Sequence, residues 1–321
     1  TLVHATAIFL IATSFAFYLY YKNKRLGIGL IVALVVIELS AESFLIIRRF
    51  QEVTTTDLSA YTSQTASSID FIGEYDAGEY RISQTSPHYI TEHRESANFN
   101  EPLAYGYKSI ASYTSLPKDI QLSLLENLGY RKVYNLNNII TTSIIAADSL
   151  LGVKYLISDY NINGLKLLPD QPENPTSRQI YENPYALPMS LTYTDNNLEV
   201  VNTSNPFLYQ NELFSKLLGE KVELYRPLDF ELTQSGSTVQ EKTQKYRLKI
   251  PKGNYAIYGN IPASDCNPDM LMNVNGEYTT IYARGTNTDN GGLSPSVFYI
   301  PTRSGDTSAT IELQSQLSYH I

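Results

Sequence analysis

Two long apolar runs open the chain, and nothing like them recurs. Residues 5–21 are unbroken apolar and small side chains ending in Tyr18, Tyr20 and Tyr21; Lys22, Lys24 and Arg25 follow, and a second run extends over residues 26–47. Each is close to the ~17–25 residues a bilayer core requires, and aromatic residues beside a basic loop are what a membrane interface selects. The pattern predicts two transmembrane helices over residues 1–50, the end of a polytopic bundle. The first run is not a signal peptide, since no basic stretch precedes it and no small-residue cleavage site follows. Thr1 stands where a Met would begin a gene product, so the start reads as a cut inside a larger membrane protein.

The pattern then changes twice. Residues 51–69 are polar and Ser/Thr-rich and read as a juxtamembrane linker, helical in part. Residues 79–83 alternate as a strand. Ile120, Leu122, Leu124, Leu125 and Leu128, between Pro117 and Gly129, predict a helix, and residues 141–151 predict a second one closed by Gly152. Val153–Ser158 follows at once as a buried strand, and helix, glycine, strand is an α/β signature. Residues 70–187 therefore read as a small mixed α/β extracytoplasmic domain. Residues 188–221 read as a connection with a short helix at 205–218. From Val222 onward short alternating strands appear at 246–250, 255–258, 270–274, 280–282, 297–300 and 310–313, with Asn275-Gly276 as a hairpin signal. That spacing predicts a β-sandwich of jelly-roll type over 222–321. Its strand-like texture runs to Ile321, so this end also reads as a cut.

Charge sharpens the membrane part. Glu38 and Glu42 lie four residues apart on one face of the second helix, and Leu45 and Arg49 continue that face. A carboxylate facing lipid costs ~2.5–3.5 kcal/mol even on lenient scales, so such residues usually face a bundle interior or a polar cavity. Two readings stay open: an interfacial pair, with Glu38 snorkelling or bound to Arg49, or an acidic stripe facing a cavity near the outer leaflet. Lys22, Lys24 and Arg25 place the connecting loop inside and everything after Arg49 outside; Arg48 and Arg49 on the far side weaken that asymmetry. The single cysteine, Cys266, excludes an internal disulfide.

The net charge of −8, without a basic run beyond the membrane boundary, excludes a nucleic-acid footprint. With 26 Tyr and no Trp, aromatic surface comes with hydroxyls attached, which suits sugar-facing surfaces and ordinary strands alike. Catalytic motifs are missing. His88 and His93 are five apart, not the i, i+4 pair of a helical zinc site, and no metal site is expected. There is no Gly-x-Ser-x-Gly elbow and no phosphate-binding glycine loop. Glu74, Asp76 and Glu79 read as a solvated turn before a strand, and residues 289–292 as a plain turn.

Several blocks carry a resemblance. They are Tyr80-Arg81-Ile82; Leu103-Ala-Tyr105-Gly106-Tyr107-Lys108-Ser109 with Ser112-Tyr113; Leu150-Leu-Gly152-Val-Lys154-Tyr155; Tyr181-Glu-Asn183-Pro-Tyr185; and Asn205-Pro206-Phe207 with Gln210-Asn211. In this order, behind a Glu-bearing helix, they resemble the bacterial YfhO membrane proteins over about residues 26–225. The resemblance implies a polytopic glycosyltransferase of the GT-C type. Such an enzyme moves a sugar from an undecaprenyl-phosphate carrier to a cell-wall or surface polymer such as lipoteichoic acid, outside the membrane. It implies no cofactor beyond the lipid-linked sugar donor, and a principal catalytic carboxylate on an early outer loop that this chain does not contain.

The chemistry of that reaction names candidates. Arg48, Arg49, Arg81 and Lys108 are cations available to a phosphate leaving group, and Tyr105, Tyr107, Ser109, Ser112, Tyr113 and Ser115 form a hydroxyl-rich loop. The same loop reads equally as a hydrogen-bonded Ω-loop packed on the α/β domain. The expected partners are membrane lipid, a polyprenyl-phosphate sugar and an anionic polymer, with Glu38 and Glu42 facing the cavity. The competing class is a non-enzymatic, membrane-anchored carbohydrate-binding protein with the β-sandwich as its binding module.

Overall fold

The computed structural model describes residues 2–49, 55–85, 100–113, 118–133, 137–139, 143–158, 160–173, 178–193, 203, 205–237, 241–261, 270–274, 277–281, 296–303 and 305–316. It divides into two compact units, Thr1–Thr55 and Thr56–Ile321.

The first unit is a helical hairpin of α1 (Leu2–Lys22) and α2 (Lys24–Arg49). Asn23 makes the turn. Its side-chain oxygen accepts from the Leu26 N–H at 3.3 Å and caps α2, while its own N–H donates to the Leu19 carbonyl. At Gly27 the two helices touch: a Cβ there would sit 2.1 Å from Tyr20 Cα, so any larger residue would push the hairpin apart. Over Lys24–Phe44, α2 is long and apolar enough to cross a membrane by length and composition. α1 has 21 residues, and the expectation of a second span rests on its sequence.

The second unit begins with α3 (Thr55–Tyr75), 21 residues of helix that cross the boundary drawn at residue 69. It buries Thr65, Ser68 and Ile72, one face at helical spacing made mostly of small hydroxyl residues. α3 packs on a mixed sheet of β1 (Arg81–Gln84), β5 (Val153–Ser158), β7 (Gln179–Glu182) and β6 (Lys166–Leu167), in the order β1-β5-β7-β6. β1 and β5 run parallel and the other pairs antiparallel. Ile72, Ile82, Tyr155, Ile157, Leu168 and Ile180 form the core between helix and sheet.

The remaining α/β elements are shorter. α4 (Glu101–Tyr105) precedes β2 (Ser112–Tyr113), which pairs with β4 (Asn137–Ile139), itself paired with β3 (Arg131–Val133). α5 (Asp119–Asn127) ends where Gly129 takes a φ of +96°, and α6 (Ile145–Leu150) ends before Gly152 at +67°. The predicted second helix is thus shorter at its start than residues 141–151. α7 (Pro206–Leu218) matches its expected span, capped by the Asn205 side chain at Phe207 and Leu208 and closed by Gly219 in the left-handed region.

The β-rich part has β8 (Phe230–Ser237), β9 (Glu241–Lys249), β10 (Ile257–Ile261), β11 (Met270–Val274), β12 (Glu277–Ile281), β13 (Ser296–Ile300) and β14 (Ser308–Gln316). Five of these form an antiparallel sheet, β12-β11-β14-β9-β8, and β10 and β13 form a two-stranded ribbon. Leu248, Ile257, Val274, Phe298, Ile300 and Ile311 draw the sheet and the ribbon onto one cluster. Val274 pairs with Glu277, which leaves the expected hairpin residues Asn275 and Gly276 between them, outside the described residues.

The ribbon also enters the α/β core. Tyr299 packs with Leu156, Ile162 and Tyr181, and Val297 with Leu128, Ile144 and Leu213. Tyrosine hydroxyls from this side accept from the first N–H groups of α6: Tyr258 from Ile145 and Tyr225 from Ala146, both at 3.3 Å. These donors have no partner inside a helix, so the tyrosines do the work of a cap.

Candidate functional site

The carboxyl ends of β1 and β5 gather a group of buried polar side chains next to the predicted hydroxyl loop. Ends of parallel strands are where α/β sheets commonly bind ligands. Gln84 closes β1, Ser158 closes β5, and Arg178 enters β7 at the same edge, all at least nine-tenths buried. Arg178 Nη1 donates to Gln84 Oε1 at 2.8 Å and Nη2 to the Ile157 carbonyl at 3.4 Å. Gln84 Nε2 donates in turn to Glu101 Oε2 at 2.8 Å and to the Tyr107 hydroxyl at 2.9 Å. Thr85 donates to Ser158 Oγ beside them.

Glu101 is the unusual member. It is 4% exposed, and its Oε1 has no hydrogen-bond partner among the described residues. Burial pushes its carboxyl up to about 7, against the pull of the Arg178 charge. Burial likewise raises the Tyr107 phenol, which stays protonated. The group can therefore take up and release a proton near neutrality.

The other predicted cations are already committed. Arg81 Nη1 donates to the Leu151 carbonyl, and Lys108 pairs with Glu79. Asp76 departs from the solvated turn expected of it: Lys154, the Tyr155 hydroxyl and the Gly78 N–H all donate to its carboxylate. The Lys154 hydrogen bond, opposed by burial, holds that carboxyl below its ordinary value. This arrangement ties the end of α3 to β5. The Ser109 hydroxyl accepts from Ala111 N–H, and Tyr105 is half-buried on α4. Among the described side chains of the predicted loop, Tyr107 is thus the one that enters the cluster. Glu38 and Glu42 are exposed on α2. Arg48 and Arg49 belong to α2 and Tyr113 to β2, their side chains outside the described residues, as are Ser115, His88, His93, Cys266 and residues 289–292.

An open groove of about 530 Å³ lies along α3, lined by Ser63, Ser67, Asp70, Phe71 and Glu74 with Asp170 opposite. No group of three or more His, Cys, Asp or Glu able to hold a metal occurs among the described residues.

A family model described as bacterial membrane protein YfhO matches residues 1–316. The chain belongs to the YfhO family. The match takes in the α2 hairpin, the mixed sheet and nearly all of the β-rich part, so the Glu101 cluster lies within the YfhO homology. No curated protein and no solved structure matches the chain. Sequence reasoning passed over Glu101, Gln84 and Arg178 in this YfhO chain because each stands alone in its segment. Only the Tyr107 block lay within the residues it singled out.

Proposed function

We propose that this membrane protein is the extracytoplasmic portion of a polytopic glycosyltransferase. It moves a sugar from an undecaprenyl-phosphate carrier to a cell-surface polymer such as lipoteichoic acid. The observation that carries the reading is the pair Glu38 and Glu42 on α2, the described helix apolar enough to span a bilayer. Carboxylates at such positions cost ~2.5–3.5 kcal/mol against lipid and persist where they face a polar path. A mere anchor has no use for them. Membership of a bacterial membrane-protein family over residues 1–316 supports the setting. The β-rich part orients or covers the transferase and performs no chemistry of its own.

Replacing Glu38→Gln in the full-length protein should reduce surface-polymer glycosylation severalfold at unchanged protein abundance in membranes. Normal glycosylation at normal abundance would return Glu38 to an interfacial role. Orientation has its own test. With Cys266→Ser in the background, a cysteine replacing exposed Ser235 on β8 should react with a membrane-impermeant maleimide on intact cells whose wall admits the reagent. Reaction only after lysis would put the β-rich part inside and end the extracytoplasmic reading.

A further inference from the structure

α4 is a weakly built element. It has five residues, no side-chain cap, and a preceding Asn100 held at φ +59°. Leu103 is 82% exposed, and Glu101 is the only buried residue of the helix. Within α4 the single buried anchor is therefore a carboxyl group, while the residues after it are held separately by the Tyr107 hydroxyl and by the Lys108 carbonyl, which accepts from Ile82 N–H at 2.8 Å.

The anchor is also incompletely satisfied. One oxygen accepts from Gln84 Nε2; among the described residues the other, Oε1, has no partner and is the only buried carboxylate oxygen without one. The nearby Arg178 guanidinium acts on it through charge alone, which only partly offsets the burial; hydrogen bonds from Arg178 go to Gln84 Oε1 and the Ile157 carbonyl. The titratable groups facing Glu101 are Arg178, beside β7, and Tyr107, with Tyr105 further along its own segment. A buried carboxylate with one donor is costly, while the neutral acid escapes most of that cost.

We infer that Glu101 is a proton-operated latch: protonated, it holds α4 against the carboxyl ends of β1 and β5, and ionised, it lets the helix go. The inference is independent of the glycosyltransferase reading. Its direction follows from linkage. A carboxyl raised from the usual 4.5 to about 7 in the closed form gives holding that is fully present below 4.5 and lost as pH rises to about 7. Since one proton separates the closed and open forms in that window, opening should rise roughly tenfold per pH unit and level off above neutrality.

Hydrogen–deuterium exchange of the full chain in detergent, from about pH 5 to about pH 8 and corrected for intrinsic rates, reads this directly. Peptides covering α4 should show the rise and plateau, while α5 stays level. Glu101→Gln should remove the slope and stay closed throughout. Tyr107→Phe, which keeps the carboxyl, should retain the slope. A flat wild-type profile, parallel opening of α5, a slope persisting in Glu101→Gln or one vanishing in Tyr107→Phe would each overturn the latch.

Discussion

Replacing Gly259→Ala should destabilise the second unit by about 2–3 kcal/mol, although it adds a single methyl group. Gly259 on β10 pairs directly with Phe298 on β13, and the phenyl ring lies over the glycine. A Cβ at 259 would fall 2.1 Å from Phe298 Cζ and within 2.7 Å of two further ring carbons. The ring has little room to withdraw. It is 9% exposed and packed among Leu248, Ile257, Val274, Ile300 and Ile311. Backbone strain contributes nothing, because Gly259 is not among the glycines with positive φ, so the loss isolates the clash. Phe298→Leu alone should cost about 1–2 kcal/mol of buried surface. Combined with Gly259→Ala it should cost less than the sum of the two, since the smaller side chain vacates the space the methyl needs. Urea unfolding followed by circular dichroism checks each variant. A Gly259→Ala change within ~0.5 kcal/mol of wild type would mean the ring does not sit on the glycine.

Local chemistry made part of this fold readable in advance. α7 carried Asn205 and Pro206 at its start and Gly219 at its end, and it forms where those residues put it. α5 is bounded by Gly129, and β5 follows Gly152 directly; both glycines adopt positive φ. β9, β11, β13 and β14 lie where alternation placed strands. The parts that stayed hidden lacked a local signal. α3 read as helical only in part, and its full length did not show: it buries Thr65 and Ser68 where an amphipathic helix would show aliphatic residues, so its period was lost in a polar composition. β8 is an edge strand whose residues 230–236 are all exposed, and burial imposed no alternation on it.

The candidate site was less legible for a related reason. Tyr107 came forward through its block, but Gln84, Glu101 and Arg178 come from three separate segments and meet only when the sheet forms. Arg81 and Lys108, which read as free cations, are spent on a backbone carbonyl and on Glu79. A residue type announces what it can do, and the tertiary structure decides whether it remains available. The tyrosines show the same thing. Tyr225, Tyr258 and Tyr299 read as strand or surface residues, yet their hydroxyls accept from N–H groups of α6 and of Asn163.

Asp148→Asn should flatten the pH dependence of second-unit stability between about pH 4 and about pH 6. Asp148 lies on α6, 2% exposed, and accepts hydroxyl hydrogen bonds from Tyr130 and Ser143. Burial pushes its carboxyl up from 3.8 to about 6, and the two hydroxyls only partly offset that. The folded form therefore holds the proton more tightly than the unfolded chain. Its contribution is complete below 3.8 and lost as pH rises through about 6, an amount on the order of 2–3 kcal/mol. Asn cannot ionise, and its carbonyl oxygen still accepts from at least one hydroxyl, so the variant keeps a partner for the buried phenol. Glu101 adds a loss of the same sign up to about pH 7, so the profile should be compared with Glu101→Gln and with the double variant. Asp76, whose carboxyl is held low, acts in the opposite direction: its ion pair with Lys154 is lost only as the solution falls below the ordinary carboxylate range. Thermal unfolding at closely spaced pH values separates the three. If Asp148→Asn retains the full slope between about pH 4 and about pH 6, the buried carboxyl is not the group that titrates there.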